Sequence, residues 1–239
     1  DALDLGLLTG STDASELLAF DADAHGTGGN ADVSGKIAQG EFSAIVQPSK
    51  LSLVDRRLQL QPLVVDLFEG RVTANGVADL RDPNDASLKF AVNARGLRWR
   101  SADGKTDVGG DADFGLAGKP ERWALKGQAR LQRGSERATV DITGTGNRDG
   151  MDVQSLRATM PQGRLDATGN VAWMPTVKWN ADATLAGFDP GYFLPDWPGA
   201  INGRLTSTGE LREAGKGLLA HVDASKLGGQ LRKRALSGR

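Results

Sequence analysis

Val177-Lys178-Trp179-Asn180-Ala181-Asp182-Ala183-Thr184-Leu185 alternates between apolar and polar side chains without a break. Successive side chains of an extended chain point to opposite faces, so this stretch reads as a strand with one apolar and one polar face. The same period of two runs through Leu88, Phe90 and Val92, and from Trp123 and Leu125 through Gly127 and Ala129 to Leu131. Turn chemistry separates the runs at Asp82-Pro83-Asn84-Asp85, Ala102-Asp103-Gly104, Gly118-Lys119-Pro120 and Asn147-Arg148-Asp149-Gly150. Strand signals at such short intervals predict an all-β chain. The one helical pattern is a single turn at Ser15 to Phe20.

Three segments repeat one motif: Gly70-Arg71-Val72-Thr73-Ala74-Asn75-Gly76, Gly163-Arg164-Leu165-Asp166-Ala167-Thr168-Gly169 and Gly203-Arg204-Leu205-Thr206-Ser207-Thr208-Gly209. A catalytic loop normally occurs once, so three copies argue for architecture. The expected unit is a strand that begins and ends at glycines, laid down repeatedly in one long sheet. A longer correspondence links Leu63–Gly96 with Leu156–Gly187. The Gly-Arg pairs are offset by 93 residues (163 − 70) and the final glycines by 91 (187 − 96), so a two-residue gap falls at the proline-containing turn. That period is too long for one coil of a solenoid and fits a multi-strand unit. Residues 187–199, with Pro190, Pro195 and Pro198, interrupt the strands as a loop, since each proline removes a ladder donor. Its aromatics are expected to cover an open end or edge of the sheet, a docking surface being the other reading.

The remaining composition narrows the function classes. A chain of 239 residues with a net charge of −1 has no basic excess to recruit nucleic acid. Cysteine is absent, so disulfides, thiolate metal sites and cysteine nucleophiles are excluded together. No apolar run approaches the ~20 residues that span a bilayer. The chain opens on Asp1 and stops in mid-pattern at Ala235-Leu236-Ser237-Gly238-Arg239, so it reads as one elongated repetitive β domain over 1–239, excised from something longer.

Catalytic constellations are missing. Gly29 to Gly35-Lys36 is one residue too long for a phosphate-binding loop and has Ile37 where a hydroxyl is required. Asp21, Asp23 and Gly26 suggest a calcium loop, but His25 replaces the third oxygen ligand. Gly109-Gly110-Asp111-Ala112-Asp113 echoes a calcium-binding nonapeptide once, without its third glycine. His25 and His221 read as solvated strand residues rather than metal ligands. Arg232-Lys233-Arg234 reads as a charged edge that resists pairing with other chains, with an acidic lipid headgroup contact as the alternative. Nothing positions a nucleophile, base, metal or cofactor, so an enzyme is not expected.

Leu185-Ala186-Gly187-Phe188-Asp189-Pro190 through Asp196-Trp197-Pro198-Gly199-Ala200-Ile201-Asn202-Gly203, followed by Leu205 and Gly209, resembles the translocation and assembly module (TamB) family of AsmA-like bridge proteins. The Gly-Arg repeats share that likeness along most of the chain. The resemblance implies an internal segment of a periplasmic bridge, tethered to the inner membrane by a part outside this chain. It implies a long twisted, mostly antiparallel sheet folded into an open trough with an apolar interior, a β-taco. The implied partners are phospholipid acyl chains, a BamA-like outer-membrane barrel of the TamA type, and outer-membrane protein clients such as autotransporters.

Two functions follow. In the first, the trough carries phospholipids between the membranes, and Leu88, Phe90, Val92, Leu125, Val177, Trp179 and Leu185 line it. Ala and Gly on the same face keep the groove open. In the second, an exposed sheet edge receives client strands by strand addition. A closed sandwich or solenoid with a dry core is the purely structural reading.

Overall fold

The computed structural model describes residues 19–39, 42–101, 104, 106–211, 218–224 and 226–237. Sixteen strands form one sheet. They are β1 (Ala19–Thr27), β2 (Asn30–Gln39), β3 (Phe42–Val54), β4 (Arg57–Leu67), β5 (Gly70–Asp79), β6 (Ser87–Arg100), β7 (Asp107–Lys119) and β8 (Arg122–Arg133) in the first half. The second half adds β9 (Glu136–Gly146), β10 (Gly150–Thr159), β11 (Arg164–Ala172), β12 (Lys178–Phe188), β13 (Gly199–Leu211), β14 (Leu218–Asp223), β15 (Gly228–Leu231) and β16 (Arg234–Ser237). Among the described residues the only helical element is a 3-10 turn at Pro190–Tyr192. Of the single turn expected at Ser15 to Phe20, Ala19 and Phe20 belong to β1 and the rest lies outside the described residues.

From β1 to β13 each strand pairs with its sequence neighbours, always antiparallel. The far edge of β13 is shared, with Thr206–Leu211 pairing β14 and Gly199–Asn202 pairing β15. The sheet does not close into a barrel, and at about 4.8 Å per strand its fifteen-strand path runs roughly 67 Å.

Tight hairpin turns join many of the strands, and among the described residues four of the two-residue ones have no glycine or asparagine at their centre, Pro120-Glu121 and three more. Asp55-Arg56, Phe68-Glu69 and Arg232-Lys233 all take positive φ, from 48° to 63°, the geometry that matches the right-handed twist of the flanking strands. Arg232 and Lys233 are therefore the tip of the β15–β16 hairpin, where sequence reasoning expected an edge strand. Pro48 sits inside β3 and breaks the ladder between Val46 and Leu51. The Ser49 hydroxyl fills the gap, accepting from Val64 N at 3.0 Å and donating to Gln47 O at 2.7 Å.

The Gly-Arg repeats do not bound strands as expected. β5 begins at Gly70 but runs past Gly76 to Asp79, β11 runs past Gly169 to Ala172, and Gly203 lies in the middle of β13. The longer repeat is real in three dimensions. Gly96 and Gly187 take φ of +64° and +62°, and each is followed by a register shift, between Ala94 and Leu97 and between Leu185 and Phe188. The Gly96 N–H donates to Asp111 Oδ1 at 2.8 Å, and the Gly187 N–H donates to Asn202 Oδ1 at 2.8 Å. Each clasp spans 15 residues, and Asp111 and Asn202 differ by the same 91 positions as the glycines. These are glycine bulges, which kink a strand and raise its twist. Gly70 and Gly163 lie against them: a Cβ on Gly70 would stand 2.5 Å from Gly96 C, and one on Gly163 would stand 2.0 Å from Gly187 O.

The sheet is not flat. Thr106, just before β7, donates from Oγ1 to Phe193 O at 3.2 Å, although Phe193 follows β12. In a flat sheet β7 and β12 lie five intervals, about 24 Å, apart. Five residues beyond Phe188 extend at most about 18 Å, and the 3-10 turn shortens them further. The sheet must bend to make this contact.

Candidate functional site: the apolar face

Register places the apolar residues in rows that cross the strands. The first runs Leu53, Leu58, Ala78, Leu88, Gly118, Trp123, Gly146, Met151, Val171, Trp179, Gly209 and Ala220. Beside it lie three more: Phe90–Leu116–Leu125–Gly144–Val153, Val92–Phe114–Gly127–Ile142–Leu156, and Ala94–Ala112–Ala129–Val140–Ala158–Leu165–Leu185. Directly opposed residues share a face. Leu88, Phe90, Val92, Leu125, Trp179 and Leu185 therefore stand on one surface. Val177 precedes β12 at the rim, its carbonyl accepting from Leu211 N at 2.8 Å.

Phe114, Leu116, Ile142 and Val153 occupy the same rows, and sequence reasoning did not single them out. The signal was the alternation Ala112-Phe114-Leu116, hidden because its glycine-rich start resembled a calcium motif. That motif lies within β7, and the Asp21–Gly26 segment lies within β1, so both are extended strand rather than the turning loop calcium requires. Gly35 and Lys36 lie in β2 with no helix behind them, so no phosphate-binding loop forms there. His25 and His221 are exposed, on β1 and β14.

The wall has an unusual texture. Its large rings lie down on glycines of the next strand. A Cβ on Gly76 would meet Phe90 Cδ1 at 2.1 Å, on Gly127 Phe114 Cδ1 at 2.2 Å, on Gly146 Trp123 Cζ2 at 2.3 Å and on Gly209 Trp179 Cζ2 at 2.1 Å. The Trp179 indole N–H donates to Ser207 Oγ at 3.1 Å, and that of Trp123 to Asn147 O at 3.1 Å. Rings held flat in this way add apolar surface without filling the space above it. Burial agrees: among the described residues no large side chain is fully buried, and five of the ten buried apolar residues are alanines. The dry core of a closed sandwich would bury large side chains in number, so the structural reading with a dry core is not what forms.

One place on this face is covered. Residues 189–198 turn back over the rim and bury Tyr192, 3% exposed, against Ala138 and Met160, with Leu131, Phe188 and Phe193 around them. The Asp189 carboxylate shapes the loop by accepting from Gly191 N and Gly199 N, both at 2.8 Å. The Arg133 guanidinium anchors it from the wall, donating to Gly191 O at 2.5 Å and Tyr192 O at 3.1 Å. Burial pushes the Tyr192 phenol above its ordinary value, and among the described residues its hydroxyl has no hydrogen-bond partner. At the far end of the loop, Arg232 stacks over the Trp197 ring at 5.2 Å.

The opposite face is charged and internally neutralised. Arg95 and Arg130 flank Asp113, Arg157 and Arg164 flank Asp166, and Arg98 pairs with Asp107 at 2.5 Å. Hydrogen bonds from Arg95, Arg157 and Arg98 hold these carboxyls below the ordinary range. Three open concavities lie largely on this face, the largest about 1170 Å³ beside Arg98, Asp107 and Arg130. Several of their charges are paired across strands, among them Arg98 with Asp107, Arg157 with Asp166 and Arg71 with Asp66, and these pairs tie neighbouring strands together. Among the described residues no group of three or more acidic or histidine side chains is placed to hold a metal, and no helix is long and apolar enough to cross a membrane.

A long open antiparallel sheet with one bare apolar face and one ion-paired face defines an elongated β-trough protein. Residues 67–239 match the family described as TamB, N-terminal domain, and the chain belongs to that family, a transport and assembly family of the bacterial envelope. No solved structure matches the chain.

Proposed function

We propose that this segment is part of a periplasmic bridge, tethered to the inner membrane, whose apolar face carries phospholipid acyl chains toward the outer membrane. The observation that supports it is the set of continuous apolar rows, half-buried at Leu88, Phe90, Val92, Leu125 and Trp179 and buried at Leu185, with their rings laid flat. An exposed apolar surface of this extent on a folded protein signals binding. Each methylene taken from water contributes about 0.8 kcal/mol, so half of one acyl chain is held appreciably, and equivalent rows strand after strand permit sliding. Leu88, Phe90, Val92, Leu125, Trp179 and Leu185 form the lining, with Val177 at its rim. The headgroup stays outside, and a BamA-like barrel of the TamA type receives the lipid through the parent protein.

Photocrosslinking in cells tests this. A photoreactive residue replaces Leu125 in the full-length parent, and one at neighbouring Lys126, on the polar face, serves as control. Phospholipid adducts at Leu125 alone are expected. Outer-membrane protein adducts at Leu125 would replace the lipid reading with the client scaffold, and no adduct at either position would mean a structural wall.

A further inference from the structure

The loop at 189–198 has a counterpart that shows it is not required by the sheet. After the Gly96 bulge, the chain reaches its clasp residue Asp111 by continuing β6 through Leu97–Arg100, turning, and returning in β7. After the Gly187 bulge, the same 15-residue separation to Asn202 is spent on a 3-10 turn and a proline-rich loop laid on the trough. The loop's anchors to the wall are few and carry no ladder. Over the seat they include the Arg133 donations to two loop carbonyls and the Thr106 hydroxyl to Phe193 O, and the far end of the loop is held by the Arg232 N–H donating to Pro198 O at 2.8 Å and by the Arg232 guanidinium over Trp197. Its central residue, Tyr192, is 3% exposed, and among the described residues its hydroxyl has no hydrogen-bond partner where it packs on Ala138 and Met160. A side chain selected only to fill that seat would have no hydroxyl, since a buried polar group without a partner opposes burial.

We propose that Leu131, Ala138 and Met160 form a discrete acyl-chain seat in the trough, occupied in cis by Tyr192 and Phe193, and that the loop is a stop an arriving chain displaces. The seat matches an acyl chain in chemistry: Leu131, Met160 and Phe188 are apolar, and the covering rings make no polar contact with them. Lifting the loop gives the Tyr192 hydroxyl water or a lipid ester carbonyl as a partner. This proposal rests on the lipid-groove reading, and its test separates the two.

The chain has no cysteine, so introduced thiols report cleanly. In the full-length parent, Thr106→Cys and Phe193→Cys are joined by a short bismaleimide, which adds one thiol at each end, to hold the loop down, and Arg133→Met is used to free it. A photoreactive residue at Leu131 reads the seat, and one at Leu125 reads the open groove. Locking is expected to abolish phospholipid adducts at Leu131 while leaving those at Leu125. Arg133→Met is expected to raise the Leu131 adduct roughly tenfold, the scale set by loss of a charge-assisted hydrogen bond. Lipid at Leu131 that is indifferent to both changes overturns the stop.

Should Leu125 capture no lipid, the groove reading falls and maleimide labelling of Met160→Cys still decides whether the loop moves. Labelling blocked by the crosslink and accelerated by Arg133→Met retains a displaceable loop over the seat. Labelling too slow to detect in both uncrosslinked proteins makes the loop permanent core and overturns the proposal.

Discussion

Two connections of equal length leave the sheet at the same kind of bulge and end differently. The one from Gly96 to Asp111 becomes a hairpin extension carrying Trp99 and the Arg98–Asp107 pair. The one from Gly187 to Asn202 becomes a loop that seals part of the trough. What the pair shares is the turn of backbone: a positive-φ glycine whose N–H is held by an Asp or Asn one strand on. What separates them is Pro190, Pro195 and Pro198. Each lacks the N–H that a hairpin ladder needs, so the second connection seeks its partners on the wall instead. It finds them on the first connection, through Thr106. A repeat can thus conserve its hinge while exchanging what hangs from it.

The comparison breaks most severely at the glycines packed beneath the bulges. Gly163 has a φ of +79° and its Cβ would stand 2.0 Å from Gly187 O, whereas Gly70 has the close approach without the positive φ. Gly163→Val is expected to cost about 4 kcal/mol or more and Gly70→Val somewhat less, read by chemical denaturation. Grafting Leu97–Gly110 in place of Phe188–Ile201 comes next. The sheet should survive, with a loss of about 3 kcal/mol from uncovering the seat and a large rise in labelling of Met160→Cys. An unchanged labelling rate would mean that the loop's own residues do not cover Met160.

Smaller effects separate the two clasps. Asp111→Ala removes a charged acceptor and should cost about 2 kcal/mol, against about 1 kcal/mol for Asn202→Ala. Equal costs would show that the clasp's charge is immaterial. The smallest effect concerns acid. Arg98 holds Asp107 below its ordinary value of 3.8, and Arg81 holds Asp79 at about 2. A carboxyl depressed in the folded state stabilises above its unfolded value, and that contribution fades as pH falls from there through the folded value. The Arg81–Asp79 ion pair on the surface should therefore weaken only between about pH 4 and pH 2. Carboxyl titration by NMR checks this, with Arg98→Met expected to move Asp107 upward toward the ordinary range, Arg100 still holding it down in part.

Alternation made the strands and their faces legible, because a period of two has one reading when Lys178, Asn180 and Asp182 stand between Trp179, Ala181 and Ala183. The six wall residues on β6, β8 and β12 fell on one face for the same reason. Register was not legible. The bulges at Gly96 and Gly187 depend on hydrogen bonds to residues one strand away, which no local pattern announces. The turns at Asp55-Arg56 and Phe68-Glu69 were invisible too, since their positive φ is imposed by strand twist on residues that do not advertise it. The closing glycines of the Gly-Arg motif misled for a related reason. Gly76 and Gly209 are small to accommodate a neighbour's ring, and sequence records the smallness but not the ring.

The neighbour-to-neighbour pairing from β1 to β13 also governs how such a chain is made. Each new strand meets an edge already formed, so the entropy of closing a large loop never arises. Assembly can proceed like a zipper from either end, at a pace set by hairpins rather than by chain length. The contact between Thr106 and Phe193, separated by 87 residues, must wait until six strands have joined. A growing sheet of this kind closes its stop last.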